Sequence, residues 1–557
     1  MPHDLDDLLH RLKALERERG TFENLWQDLA QIHLPRRADF TIEQTPGARR
    51  TENQFDGTPM QAARALAASI DGLLKPKTSP WFKIETDDDD LNQLDEVKQW
   101  LEFAETRVRN ALYNPRSRFL QRSAETDIDL VVFGTGVLFI GDKPAEQRLQ
   151  FRCHHLRECY LCENNDGDID TVFRVFKLTA RQAVQQWGAD KVGQEVTTAL
   201  GSNKPDDRFE FIHVVMPRND PSYGVGDNRP PRLKMPFASI WIERTDKHLL
   251  GEGGFEEFPY IVPRWDTAAN EVYGRSPAMI ALPDSSTLNQ IGKTLLIAGH
   301  KKVNPPLLVP AEGMRSARRT RPGGQTYYDA ALLLKTGGRP PVFPLDTGAN
   351  IPLGREMQND IRVQVQKAFF NDLLRLPPEK PNMTATEILE RKEEYVRVVG
   401  PVFGRLEADY TGPIVSRVFN ILSRAGVFGP PESVPQPLQG RNVRFEFNSP
   451  ITRAIKQVAA SAARKTLDDI AAIGGLKPDL YDNFDTDAML RGIADANGVP
   501  MAWMHPLKEV AAMRDARAQA QAKAAQAQTL MEGMKTATPI IQTSMQTNAQ
   551  ARAANAA

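Results

Sequence analysis

The stretch "LLRLPPEKPNMTATEILERKEE" (residues 373–394) joins two helix-forming segments through a short break that contains three prolines. Pro377 and Pro378 end the first segment, because proline lacks the amide proton and its ring clashes with the preceding helical turn. Thr384 and Glu387 then form a Ser/Thr-x-x-Glu capping box, which is a specific signal for the start of a helix. The sequence therefore predicts a helix, a stiff break and a second helix.

Two predicted helices precede this break. Residues 284–304 and 355–376 each carry apolar residues at helical spacing, and at about 20 residues each would be about 30 Å long. They bracket residues 305–354, an insert rich in Gly, Pro and strand-forming residues. Apolar stripes on more than one side of these helices imply neighbours on more than one side, supplied by the same chain or by other subunits.

The remaining chain predicts a helix layer joined to a mostly antiparallel sheet, an α+β fold. Helices are expected at residues 4–33, with an interruption at Gly20, and at 59–74, 91–112 and 117–133. Residues 137–265 are mostly strand and turn, with one helix near Ala180–Trp187. After the break a long helix is expected to run to about Ala425, bent at Gly400–Pro401 and Gly412–Pro413, with short helices at 450–473, 485–497 and 506–530.

Composition limits the classes of function. The 557 residues include 70 Lys and Arg against 71 Asp and Glu, for a net charge of −1. Any contact with nucleic acid must therefore be local or weak. The most apolar stretch, residues 130–140, is shorter than the ~20 residues of a bilayer span, and the first residues lack the pattern of a signal peptide. We expect a protein of a cytosol-like compartment with no membrane partner.

Two segments suggest chemistry but fit it poorly. The three cysteines lie within "CHHLRECYLC", together with His154 and His155. Zinc would need four ligands that converge tetrahedrally, whereas neighbouring side chains of a strand point to opposite faces. "TLNQIGKT" ends like a phosphate-binding loop but has Thr287 where that motif requires glycine. We expect a β segment, no metal, no cofactor and no enzyme.

Several motifs, in their order along the chain, resemble the portal proteins, or head-to-tail connectors, of short-tailed bacteriophages. They are "DIDLVVFGTGVLFI" (127–140), "YGRSPAMIALPDSSTLNQ" (273–290), "MTATEILERKEE" (383–394), "NSPITRAIKQ" (448–457) and "GVP" (498–500). The resemblance covers about residues 5–530. It implies a ring of about twelve copies at one capsid vertex, through which double-stranded DNA passes during genome packaging and ejection.

The resemblance also implies a division of the chain. The N-terminal helices and β region form a wing, two long stem helices flank a clip, and a channel loop precedes a long kinked helix that returns to the wing. A C-terminal helical crown or barrel carries an Ala/Gln-rich tail. The expected bounds are wing 1–283, first stem helix 284–304, clip 305–354, second stem helix 355–376, channel loop 377–383, kinked helix and return 384–450, and crown 451–557.

Three groups of site residues follow from this division. The resemblance implies that the channel loop projects into the bore. Basic stem residues are candidates for facing DNA phosphates, unless they are solvated or paired with acidic groups. Apolar stem residues are expected to pack against other subunits. The channel-loop residues are Pro377, Pro378, Glu379, Lys380, Pro381 and Asn382. The candidate DNA-facing residues are Lys301, Lys302, Arg362 and Lys367. The subunit-packing residues are Leu288, Ile291, Leu295, Ile361, Val365 and Phe369.

The implied partners are further copies of the chain, the large terminase subunit, tail or adaptor proteins, capsid and scaffold proteins, and double-stranded DNA bound without sequence preference. The implied location is the virion, at the portal vertex of the capsid, after assembly in the host cytoplasm. The alternative is another structural virion protein, such as a capsid or scaffold subunit. An ATP-driven DNA-packaging enzyme is favoured less, because the phosphate-loop pattern is incomplete.

Overall fold

The fold is taken from a computed structural model that separates into two compact units, Met1–Asn92 with Val97–Thr452, and Gln93–Glu96 with Arg453–Ala557. The structure describes residues 5–43, 45, 47–88, 90–143, 146, 148–218, 231–309, 325, 327, 329–335, 337, 342–346, 348–374, 400–447, 460–468, 485–496, 504–505 and 509–526.

Helices dominate the first unit. They are α1 Leu5–His33, α2 Thr58–Leu74, α3 Asp95–Leu112, α4 Phe119–Phe133, α5 Ala180–Trp187, α6 Gln194–Gly201, α7 Pro277–Val303, α8 Ala330–Lys335, α9 Ile351–Ala368 and α10 Asn371–Leu374. The helical segment 400–406 continues through a π-helical turn, Glu407–Thr411, into the helix Gly412–Arg424. In the second unit, residues 460–468, Thr486–Ala496 and 509–526 are helical.

The strands form antiparallel sheets, which together with the helices confirms the predicted α+β class. The strands are β1 Phe82–Thr86, β2 Leu138–Lys143, β3 Arg148–Cys153, β4 Cys159–Glu163, β5 Ile169–Thr179, β6 Arg208–Pro217, β7 Phe237–Glu243, β8 His248–Phe255, β9 Tyr260–Ile261, β10 Leu307–Leu308, β11 Phe343–Pro344 and β12 Val443–Phe447. Their orders are β4-β5-β6-β7-β8, β3-β2-β9, and the two-stranded pairs β1-β12 and β10-β11.

The two largest buried clusters organise the part of the first unit around its long helices. The first, called the helix core, joins α1, α2, α4, α7 and α9, and includes Trp26, Leu29, Leu66, Ile70, Leu130, Phe133, Leu288, Val365, Phe369, Phe403 and Leu406. The second, called the ribbon core, lies under the β1-β12 pair and α3, and includes Phe82, Ile84, Leu101, Val108, Phe119, Ile140, Tyr410, Ile414, Val415 and Val418. Burial of this apolar surface is the main driving force that holds the elements together.

α1 is continuous, so the predicted interruption at Gly20 is wrong. A glycine inside a helix costs about 1 kcal/mol relative to alanine. Its neighbour Arg19 is buried and donates hydrogen bonds to the carbonyl oxygens of Cys159, at 2.8 Å, and Leu156, at 3.1 Å. The same guanidinium lies 3.6 Å from the ring centre of Tyr160. These long-range contacts anchor the continuous helix beside the glycine, and sequence periodicity alone could not show them.

The two long helices also differ from their predicted bounds. α7 begins seven residues before Asp284, because Ser276 caps it by accepting a hydrogen bond from the Met279 amide at 3.1 Å and Pro283 is tolerated inside the helix. α9 begins at Ile351 and ends at Ala368, so a continuous helix to Leu376 is wrong. Phe370 has a φ of 55° and separates α9 from α10.

Candidate functional site

α7 and α9 form an antiparallel pair at the centre of the candidate site. At one end the His33 ring lies 3.2 Å from the Ser285 hydroxyl of α7 and 5.5 Å from the ring of Phe369, which follows α9. At the other end, a Cβ atom added to Gly354 of α9 would lie 2.5 Å from Leu295 of α7. The absence of a side chain at Gly354 therefore lets the two helices approach closely.

The pair is tied to the rest of the chain by a segment before α2, residues 53–57, called the strap. The Phe55 amide donates to Asn289 Oδ1 at 2.7 Å, and Asn289 Nδ2 donates to the Asn53 carbonyl at 2.8 Å. A Cβ at Gly292 would lie 3.2 Å from the Phe55 carbonyl oxygen. Gly292 thus packs closely against the strap of its own chain.

Asp56 connects the strap to α9. Its Oδ2 accepts from Arg362 Nη2 at 2.8 Å and from Gln358 Nε2 at 3.0 Å, and its Oδ1 accepts from the Thr58 amide at 2.9 Å. Although burial opposes ionisation, the bonds from Thr58 and Arg362 lower the pKa of Asp56. The Asp-Gly-Thr-Pro sequence signals the start of α2, but nothing local could reveal a partner more than three hundred residues away.

The predicted subunit-packing residues fall into two classes. Leu288, Val365 and Phe369 are fully buried in the helix core of their own chain, and Ile361 packs against it partly exposed. Ile291 and Leu295 are also only partly exposed. The burial of the first three residues therefore requires no second subunit.

Other apolar residues of α7 and α9 remain exposed. Their exposed fractions lie between 46% and 88%. They are Ile280, Leu296, Ile297 and Val303 on α7, and Leu353, Met357 and Val363 on α9. An isolated exposed apolar residue is ordinary, whereas a concentration on one helix pair marks a surface for association.

The candidate DNA-facing residues also divide. Lys301 and Lys302 are exposed in the last turn of α7, and Lys367 is exposed in the last turn of α9. Arg362, in contrast, is held by the buried carboxylate of Asp56. The three lysines keep their charge available at the surface, while the charge of Arg362 is already matched within the chain.

The expected clip is described only in part. Leu307 and Leu308 of β10 pair with Pro344 and Phe343 of β11, and this short pair joins the two ends of the insert between α7 and α9. The predicted channel-loop residues, Pro377 to Asn382, lie outside the described residues.

The segments considered for metal and nucleotide adopt other structures. Burial raises the pKa of the Cys153 thiol to about 12. The Cys159 thiol is fully buried, and burial raises its pKa as well. Within the described part of the chain, no group of three or more His, Cys, Asp or Glu side chains is placed to hold a metal ion. "TLNQIGKT" lies inside α7, where it has no loop to surround a phosphate.

Comparison with known proteins identifies the family. A sequence model described as bacteriophage head to tail connecting protein matches residues 5–504. This chain belongs to that family. The family resemblance predicted from the sequence is thereby confirmed, and the head-to-tail connector role is supported over the capsid, scaffold and packaging-enzyme alternatives.

Two curated relatives span nearly the whole chain. The probable portal protein of Bordetella phage BPP-1 is 29% identical over 540 residues, which cover 95% of this chain and 94% of the relative. The portal protein of Salmonella phage epsilon15 is 30% identical over 542 residues, with the same coverage of 95% and 94%. A solved virion structure of a native gene transfer agent particle aligns over 78% of this chain and 92% of that chain, with 11% identity and a TM-score of 0.36.

Neither the family description nor the names of these relatives state a catalytic activity. Among the helices that the structure describes, none combines the length and the apolar character needed to cross a bilayer.

Proposed function

We propose that this connector assembles into a ring of about twelve copies at one vertex of the capsid and forms a conduit for double-stranded DNA. The observation that supports the ring is the exposed apolar surface of the α7–α9 pair, in a chain that belongs to the connector family. One side of the pair is filled by the helix core, while Ile297, Met357 and Val363 on the other sides stay about half exposed. A neighbouring copy of the same pair supplies the missing apolar contact.

In this ring, α7 from Asp284 onward and α9 from Arg355 onward are the stem helices, residues 305–354 the clip and residues 377–383 the channel loop. Lys301, Lys302 and Lys367 face the DNA phosphates, whereas Arg362 supports the strap through Asp56. Each lysine becomes a ring of like charges by symmetry. A chain with a net charge of −1 suits passage, because every phosphate contact adds affinity that must be broken when the DNA moves.

The remaining assignments follow the same proposal. Residues 1–283 and the return of 384–450 form the wing, and residues 451–557 the crown. The clip meets the large terminase subunit during packaging and tail or adaptor proteins later, while the outer surface contacts capsid and scaffold proteins. The protein is structural rather than an enzyme, assembles in the host cytoplasm and remains in the virion at the portal vertex.

Electron microscopy of the purified protein tests this function. Class-averaged top views should show closed rings with a central hole wide enough for a duplex. Shells or irregular polymers would instead indicate a capsid or scaffold subunit. The same preparation should not hydrolyse ATP in the presence of DNA, and robust DNA-stimulated turnover would contradict the structural role.

A further inference from the structure

The helical segment from residue 400 to Arg424 contains a π-helical turn, Glu407–Thr411. The Gly412 amide donates to the carbonyl oxygen of Glu407, five residues earlier, in place of the usual four. A Cβ at Gly412 would lie 2.9 Å from that oxygen, so glycine permits the wide turn. Pro413 follows and has no amide proton to give to Asp409. Such turns insert one extra residue into a helix and occur frequently at functional sites.

The extra residue divides the helix between two cores. Before the turn, Phe403 and Leu406 are buried in the helix core. After it, Ile414, Val415 and Val418 are buried in the ribbon core. One residue corresponds to a rotation of about 100° around a helix axis. The π turn therefore sets the rotation of segment 400–406 relative to the helix Gly412–Arg424.

A buried cluster of Lys75, Asp127 and Tyr410 holds the turn. Lys75 Nζ lies 2.7 Å and 2.9 Å from the two carboxylate oxygens of Asp127, and 3.1 Å from the Tyr410 hydroxyl. The ammonium also lies 4.3 Å from the centre of the Tyr410 ring. The Tyr410 hydroxyl donates to the Ser123 carbonyl at 3.3 Å. Tyr410, within the turn, is thereby fixed to the end of α2 and to α4.

The geometry points to a latched joint: the Lys75–Asp127–Tyr410 cluster holds the π turn, and release of Tyr410 converts the turn to α-helix and rotates segment 400–406 against the helix Gly412–Arg424. A π turn is locally unfavourable in a helix, so it persists only while contacts from the surrounding residues stabilise it. Lys75 and Asp127 are positioning residues here. They act through Tyr410. Closing the turn with every residue kept carries Phe403 and Leu406 about 100° around the helix axis, so release costs segment 400–406 its packing in the helix core while the helix Gly412–Arg424 keeps its packing in the ribbon core.

Hydrogen exchange of the full-length protein tests the joint. Tyr410→Phe keeps the ring and removes the hydroxyl contacts. Lys75→Met with Asp127→Leu removes the charged pair without leaving one ion buried alone. Both variants should speed exchange of residues 400–411 by about tenfold and change that of residues 415–424 by less than about twofold. Tyr113→Phe is the matched control, because its hydroxyl binds the Lys75 carbonyl at 3.0 Å but lies outside the turn.

Deletion of Ala408 separates a latched joint from a purely structural contact. Ala408 is exposed, and its removal closes the π turn to α-helix while every residue on either side keeps its face. In the Tyr410→Phe background this deletion should restore slow exchange of residues 400–411. Faster exchange throughout both cores, no change in the release variants, or no rescue by the deletion would each overturn the inference.

Discussion

Single buried groups show where the chain depends on pH. His33 is surrounded by the helix core, and burial lowers its pKa to about 4. The carbonyl oxygen of Leu29 can only accept a hydrogen bond, so Nδ1 of His33 carries the proton and donates to that oxygen at 3.2 Å. Nε2 of the neutral ring therefore accepts from the Ser285 hydroxyl. The ring is neutral at pH 7. Between about pH 6.5 and pH 4 the unfolded chain, in which the His33 pKa is near 6.5, binds a proton that the folded chain does not.

The stability contributed by neutral His33 should therefore be lost as the pH falls from about 6.5 towards 4. His33→Gln should destabilise the protein at pH 7, since it disturbs both hydrogen bonds. That cost should shrink by about 2 kcal/mol between pH 7 and pH 5, because only the wild type carries the proton penalty. Urea unfolding of both proteins at the two pH values measures the difference. His10→Gln, at an exposed residue, is the control, and an equal cost of His33→Gln at both pH values would contradict the argument.

Whole elements meet through glycines that the sequence marks only in part. The "FGTG" motif predicts a glycine that ends α4, and Gly134 does so with a φ of 80°. The sequence did not predict its partner. A Cβ at Gly134 would lie 2.2 Å from the Gly274 carbonyl oxygen, and one at Gly274 would lie 2.3 Å from the Gly134 carbonyl oxygen. The joint between α4 and the segment that leads into α7 therefore needs glycine on both sides.

Gly274→Ala should destabilise the protein by about 2–3 kcal/mol, because the clash is with backbone that cannot move aside as a side chain does. Gly20→Ala is the matched control. Nothing lies within 4 Å of its added Cβ, so the variant should gain up to about 1 kcal/mol from helix propensity. Thermal unfolding of both variants gives the comparison. Similar melting temperatures for Gly274→Ala and the wild type would show that the two segments can separate without cost.

The elements that local patterns specify were predicted well, and those that depend on distant contacts were not. α5 was predicted at Ala180–Trp187, where Thr179 and Gln182 form a capping box in the structure. The neighbouring α6 was missed, since residues 137–265 were expected to hold one helix. The end of α9 at Ala368 was also missed. The Asn371 side chain beyond it donates to the Ala62 carbonyl at 3.3 Å, and the spacing of residues in the sequence does not encode this long-range contact.

The whole molecule shows a similar limit for the site. The sequence predicted two long helices with apolar stripes, and its motifs predicted the protein family. It could not distinguish the apolar side that faces the chain's own core from the side that remains exposed. Leu288 and Phe369 were predicted as contacts between subunits, yet both are buried within one chain, whereas Ile297 and Met357 are exposed by 46% and 52%. The arrangement of α1, α2 and α4 around the pair decides this, and it is a tertiary property.

Assembly should therefore respond differently to charge at the two kinds of position. Ile297→Asp and Met357→Asp should give folded protein that no longer forms rings, because a carboxylate at an apolar contact between copies is costly to bury. Phe369→Asp should instead unfold the chain itself. Ile42→Asp is the matched control, since Ile42 is 53% exposed but lies outside the α7–α9 pair. Light scattering and circular dichroism of the four variants separate assembly from folding. Normal rings from both Ile297→Asp and Met357→Asp would exclude the exposed sides of α7 and α9 from the subunit interface.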